Sequence, residues 1–284
     1  MKVLALNHND NKYNKYNFPS FGVNRNSSVL KYTNDDFFVH ITGYGKNYKW
    51  VELIKQAADN AVNMICQNNT FDKILMNISE CVRNANQIPL DISKRVHSGI
   101  LRTKREGWRF GSNWQDQALM TRYRAKGKNQ YKGYAERLDK IIEKPLHNPY
   151  WGISLTKPYH GQVSGDILWH GDSRKVNNAL NKVGKLYEEF HKKYIQKDPT
   201  ENDLQDINSL IAEMRWILAH STPWERGSDS IANTFMRALY KSAGIKTYPL
   251  RRGVSLDLEA YCTELKEYKA NFDSYFSKKP CIVE

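Results

Sequence analysis

The sequence predicts a mainly α protein, a helical core with a short β-hairpin or irregular flap. Three features predict it. Apolar residues recur at three- and four-residue intervals in several stretches, most clearly Leu204, Ile207, Leu210, Ile211, Met214, Ile217 and Leu218. Pro145, Pro199, Pro223 and Gly244 fall between such stretches, where helix breakers belong. Extended patterns are few and short: residues 37–41, then 149–155 and 167–171 on either side of the Gly165-Asp166 turn signal.

The elements follow in order. A strand over residues 37–41 is expected to end in the Gly43-Tyr44-Gly45 turn. A helix over 50–64 puts Val51, Leu53, Ile54, Ala57, Ala61, Val62 and Ile65 on one side. Another over 71–82 aligns Ile74, Leu75, Ile78 and Cys81, with Asn69-Thr70 placed to cap it. Pro89 interrupts the chain, and residues 90–101 form a short helix. Residues 134–142 form a further one, closed before Pro145. Residues 176–194 read as a long helix whose C-terminal end carries Lys192 and Lys193, where cations are favoured. The next helix starts near Asn202-Asp203 and delivers the chain to His220. Beyond Gly244, Ser255 caps a helix through Leu256, Leu258, Tyr261 and Leu265, and residues 268–276 add an aromatic closing element. Three regions result: a flexible N-terminal arm over 1–30, a mainly helical region over 31–148, and a unit over 149–284 that carries the candidate chemistry.

Charge narrows the partners. The net charge of +13 attracts nucleic acid, an acidic protein surface or anionic lipid. Residues 102–132 mix cations with aromatics, a combination that stacks on bases while meeting phosphates. The plainer reading has Trp108, Phe110 and Trp114 anchoring a loop to the core. No apolar run approaches the roughly 20 residues of a membrane span, and the start lacks the apolar centre of a secretory signal. The protein is therefore expected in the cytoplasm or, given its Ser- and Asn-containing start, exported into a host cell by a specialised machine such as type III secretion. The four cysteines are scattered with no CxxC pair, so neither a disulfide framework nor a zinc site is indicated. His160 and His170 lack a neighbouring ligand set, and no metal site is assigned.

The richest stretch runs from Glu213 to Gly244. It reads as helix, polar elbow, helix, with the second helix lined by Ile231, Phe235, Ala238, Leu239 and Ala243. Pro223 ends the first helix; Ser228, Asp229 or Ser230 caps the second. A helix start leaves amide hydrogens free for an anion, Gly227 permits close approach, and Arg226 adds a bidentate donor. His220 would face this anion site as a general base for a hydroxyl nucleophile, with Glu225 orienting it or a cation and Trp224 walling the pocket. Each residue also has a structural reading: Ser228 or Asp229 as caps, Arg226 paired with an acid, His220 bonded to the elbow.

The elbow HSTPWERGSDSIANTFMR resembles the Fic domain, whose motif reads HPFxxGNGRxxR. Pro223-Trp224 matches the proline–phenylalanine pair, Gly227 the first glycine, and Ser228 takes the asparagine position. His220 stands two residues early, Asp229 and Ser230 replace glycine and arginine, and Arg226 occupies a position often acidic. The resemblance covers residues 149 to about 270 and includes the flap. It implies transfer of AMP or another nucleotide-derived moiety to a protein side chain. His220 would be the base, and Gly227, Ser228 and Asp229 would face the phosphates of ATP or a related donor, with Arg226 compensating for the missing arginine. Mg2+ could accompany the donor, and NAD is the alternative donor. The partner so implied is a protein substrate, and the setting a bacterial effector or toxin. The competing functions are a non-enzymatic nucleic-acid-binding protein using residues 102–132, and a protein-interaction domain whose elbow is purely structural.

Overall fold

The computed structural model describes residues 48–86, 98–102, 120–122, 133–161, 165–195 and 197–283. The arm over 1–30, the strand over 37–41 and Trp108, Phe110 and Trp114 lie outside them. The described chain is mainly helical, as its apolar periodicity predicts.

Helix α1 (Tyr48–Cys66) and α2 (Phe71–Asn86) form the first pair. Trp50, Ile54, Ala57, Ala61 and Ile65 are buried along one side of α1. The helix begins two residues before the expected start because Trp50 enters the core and donates its indole N–H to Asn86 Oδ1 at 2.8 Å. Asn69 donates its amide to the Met64 carbonyl at 3.1 Å, closing the C-terminal end of α1. Phe71 lies between Tyr187 and Phe235, with ring centroids 5.9 and 5.6 Å away. That contact joins α2 to two later helices.

Helix α3 (Ala135–Glu143) is followed by a loop, where an extended segment over 149–155 was expected. Strands β2 (Lys157–Gly161) and β3 (Gly165–Trp169) then form the predicted hairpin, with Tyr159 opposite Ile167. β1 (Met120–Arg122) adds to the other side of β3, giving the order β1-β3-β2. Residues 98–101 are not helical. They turn at Gly99 and pair with the elbow, with Ser98 bridged to Arg226 and Leu101 to Trp224.

The remaining helices make the centre. α4 (Val176–Tyr194) packs on α5 (Glu201–Ser221), and α5 packs on α6 (Ser228–Ser242) and α7 (Leu256–Cys262). α5 starts one step before the predicted position because Thr200 and Asp203 form a reciprocal capping box. The predicted last helix breaks at Thr263 into α7 and α8 (Leu265–Asn271). A short pair, β4 (Ile245–Lys246) with β5 (Cys281–Ile282), pins the C-terminal segment beside the end of α6. One apolar cluster extends from Trp50 on α1 to Phe276 beyond α8, with α5 and α6 in its middle. All four cysteines are free thiols, and no helix among the described residues is long and apolar enough to cross a membrane.

Candidate functional site

The elbow between α5 and α6 divides into a closed polar hub and a half-open ionic bridge. The hub begins with His220, in the last turn of α5 and fully buried. Its Nδ1 accepts the Thr156 amide at 3.1 Å, so the proton sits on Nε2, which donates to the Ala260 carbonyl at 3.0 Å. Trp216 and Tyr261 flank the ring, with centroids 4.2 and 5.5 Å away. Burial lowers its pKa to about 3. A general base needs a vacant nitrogen facing the substrate; both nitrogens of His220 are engaged inside the fold. The ring instead joins the segment before β2, the end of α5 and α7.

His170 lies beside it, buried against Tyr261 at 5.8 Å. The Thr156 hydroxyl donates to the His220 carbonyl and the Thr222 hydroxyl to the Ala219 carbonyl, so His170 Nδ1–H donates to both hydroxyl oxygens, at 3.1 and 3.2 Å. Burial, then the nearby Arg102 charge, lowers its pKa to about 3. Arg102 is itself buried and donates to the Ser221 and Thr222 carbonyls at 3.0 and 3.1 Å and to Gly171 O. It closes the C-terminal end of α5, which removes it from the proposed nucleic-acid surface over 102–132. Residues 103–119 and 123–132 of that stretch lie outside the described residues.

Backbone pairing fixes the elbow's shape. Glu225 N–H donates to the Ile100 carbonyl at 2.9 Å, Arg102 N–H to Pro223 O at 2.9 Å, and Gly99 N–H to Arg226 O at 3.1 Å. Trp224 is buried, as is Glu225. Arg226 is exposed. Gly227 has φ +84°, and a Cβ there would stand 3.2 Å from Ser98 Oγ and 3.3 Å from Val82 Cγ1. The close approach that needs glycine is therefore to the protein's own α2 side, which leaves no phosphate cradle on that face. The Ser228 hydroxyl closes on the Trp224 backbone, accepting its N–H at 3.1 Å and donating to its carbonyl at 3.0 Å.

The bridge joins α5, at Arg215 before His220, to the first turns of α6 and α7. Arg215, 1% exposed, faces out of the α5 stripe toward α6 and α7. Its Nη2 donates to Asp229 Oδ1 at 2.5 Å, its Nη1 to Asp257 Oδ1 at 2.6 Å, and its Nε to Asn233 Oδ1 at 3.0 Å. The acids belong to the first turns of α6 and α7, where negative charge is favoured. Their side chains keep 38% and 20% of their surface exposed, so this cluster reaches solvent where the hub does not. Burial and then the neighbouring Asp257 carboxylate push Asp229 up to about 7, while Arg215 pulls the other way. Sequence reasoning missed Arg215, Asp257 and Asn233. The available signal was a lone arginine inside an apolar stripe, which demands buried acidic partners.

Other residues named from the sequence are placed elsewhere. Glu213 accepts the Tyr150 hydroxyl at 2.6 Å and the Lys269 ammonium at 2.7 Å, away from His220's partners. His160 pairs with Asp166 across the hairpin at 2.7 Å. Among the described residues, no cluster of three or more His, Cys, Asp or Glu could hold a metal ion.

Comparison with known proteins corrects the assignment made from the elbow motif. Residues 153–279 match the family model of the AvrB_AvrC avirulence proteins, not a Fic domain. The motif departures at His220, Asp229 and Ser230 accord with that correction. No curated protein matches the chain. The hub and the bridge, apart from Arg102, fall inside the matched segment, whereas α1 and α2 precede it. Over residues 153–279 the chain is thus similar to avirulence proteins, a family of bacterial effectors.

Proposed function

We propose that this chain is an effector that acts on a host protein, transferring a nucleotide-derived group to a side-chain hydroxyl at the Arg215–Asp229–Asp257 bridge. The observation that carries the reading is the half-open carboxylate pair held on a buried arginine, with one carboxyl raised toward neutral pH. A general base works best with a pKa near the operating pH and a fixed orientation. Burial and the neighbouring Asp257 raise Asp229 above the usual carboxylate range, and Arg215 fixes its orientation. In the proposed step Asp229 takes the proton of the acceptor hydroxyl as its oxygen bonds to the transferred group, and the leaving group departs with its electron pair. Arg215 and Asn233 position the base. The donor, ATP or another nucleotide-derived molecule with NAD as the alternative, supplies the activated group; exposed Arg226 is the elbow residue that would meet its phosphates. Asp229 and Asp257 are already shared with Arg215, so Mg2+ enters this proposal as a companion of the donor's phosphates.

A second reading is an effector that only binds its host protein. The elbow's own geometry favours it, because His220, Thr222 and Ser228 are all bonded internally. One experiment separates the two. The full chain is incubated with host extract and labelled ATP or labelled NAD, and host proteins are scored for covalent label. Label that appears with the native chain and disappears with Asp229→Asn supports transfer. Absence of label from an effector still active in host cells supports binding alone.

A further inference from the structure

Trp151 is 99% exposed, at the tip of the loop between α3 and β2. An indole left wholly in water is ordinarily free to fold back, yet this one is held out by its supports. Asn148 accepts the Tyr150 N–H at 3.0 Å and donates to the Ile153 carbonyl at 2.7 Å, closing the loop across its own base. Asn178 on α4 donates to the Gly152 carbonyl at 3.0 Å, and the Tyr150 hydroxyl donates to Glu213. Gly152 has φ +78° and lies so close to Asn178 that a Cβ would be 3.0 Å from its amide nitrogen. The loop is built to present Trp151.

The surface beside it is cationic. Asn178, which grips the loop, belongs to an α4 face that also carries Lys175, Asn181, Lys182 and Lys185, with Arg174 one residue before Lys175. Residues 173–187 contain no acid at all. Carboxylates beside this face are countered: Asp172 is held by Arg174 at 2.7 Å, and Glu213 by Lys269 at 2.7 Å, with Lys182 at 3.7 Å; Glu188 and Glu189 begin only on the turn after Lys185, and Glu189 pairs with Lys193 at 2.7 Å. Lys182 also stands over the Tyr150 ring at 5.3 Å.

We infer that the Trp151 loop and the N-terminal half of α4 form a peripheral docking surface for an anionic lipid bilayer. The chemistry selects this partner over an acidic protein. A protein anchor residue is ordinarily ringed by further apolar contacts, whereas the α4 neighbours of Trp151 are polar or cationic. A single amphipathic ring in a positive field matches the headgroup layer, where indoles settle and each nearby cation adds attraction to anionic lipid. The inference is independent of the transfer chemistry, because none of these residues belongs to the bridge.

The test is flotation of the full chain with vesicles of phosphatidylcholine containing roughly one-quarter phosphatidylserine, against phosphatidylcholine alone. Binding is expected to the anionic vesicles only, weakening as salt rises. Trp151→Ala should lower the partition coefficient about tenfold, the loss expected for one buried ring. The pair Lys175→Glu with Lys185→Glu should lower it at least as much. Trp151 makes no buried contact, so an unchanged melting temperature will show that the variant folds. No binding to anionic vesicles, or equal binding of native and Trp151→Ala chains, overturns the inference. So does a Trp151→Ala chain that keeps its vesicle binding and loses a protein partner.

Discussion

The hub around His220 and the bridge around Arg215 sit on the same helix and answer burial in opposite ways. The hub is neutral and closed: two histidines, each with its proton placed by a carbonyl or a hydroxyl, stitch the elbow to α7 and to the segments flanking the β2–β3 hairpin. The bridge is charged and half open, a buried cation shared by two acids that reach water. A reactive residue type is therefore no guide to a reactive position. His220 is the more conspicuous group, but its chemistry is consumed by the fold, while Asp229 retains an exposed edge and a raised pKa.

The sharpest way to break this contrast is to remove the shared cation. Arg215→Met leaves Asp229 and Asp257 facing each other without a counter-charge, and should cost about 3 kcal/mol or more, measured by urea denaturation. Unchanged stability would show that Arg215 does not hold the two acids together. His220→Ala should cost about 2–4 kcal/mol, because it opens a cavity between Trp216 and Tyr261 and orphans the Thr156 amide. A smaller loss, about 1–2 kcal/mol, is expected for Gly227→Ala, where both the positive φ and the wall of Ser98 and Val82 oppose a side chain.

The two regions should also differ in the sign of their pH dependence. His170 and His220 titrate near 6.5 when unfolded and about 3 when folded, so each holds its full contribution above 6.5 and loses it as pH falls toward 3. The slope is about 1.4 kcal/mol per pH unit for each histidine. Asp229 behaves oppositely: its folded pKa lies above the unfolded 3.8, so its contribution is present below 3.8 and is lost as pH rises toward 7. Between 3.8 and 6.5 the slopes oppose. Asp229→Asn should therefore steepen the acid-side loss, and His220→Gln should flatten it, both readable from denaturation midpoints across pH.

Much of the scaffold was legible because helical periodicity is local. The stripe from Leu204 to Leu218 and the stop at Gly244 led directly to α5 and α6. Residues 98–101 were misread as helix because their pairing partner, the elbow, lies more than a hundred residues away. β1 and the β4–β5 pair were missed for the same reason: two or three residues carry no periodicity of their own. At the site, the start of a helix at Ser228 was recognisable, but its cap was not: the N-cap is Gly227, Ser228 bonds the Trp224 backbone and Asp229 bonds Arg215. The orientation of His220 was not recognisable either, since the Trp216 four residues before it marks an inward face only in hindsight. Arg215 carries a usable signal, an arginine between Met214 and Trp216 that requires acidic partners. Asp257, forty-two residues on, required the fold.

On the proposed reading Asp229 does the chemistry, and His220 holds the elbow together. Covalent label on host protein, measured per folded molecule for Asp229→Asn and His220→Gln, tests it most directly. Loss of a general base predicts at least a hundredfold drop in rate per folded molecule for Asp229→Asn. His220→Gln should melt earlier and keep the native rate per folded molecule. The reverse pattern, with His220→Gln inactive though folded and Asp229→Asn fully active, would contradict the account.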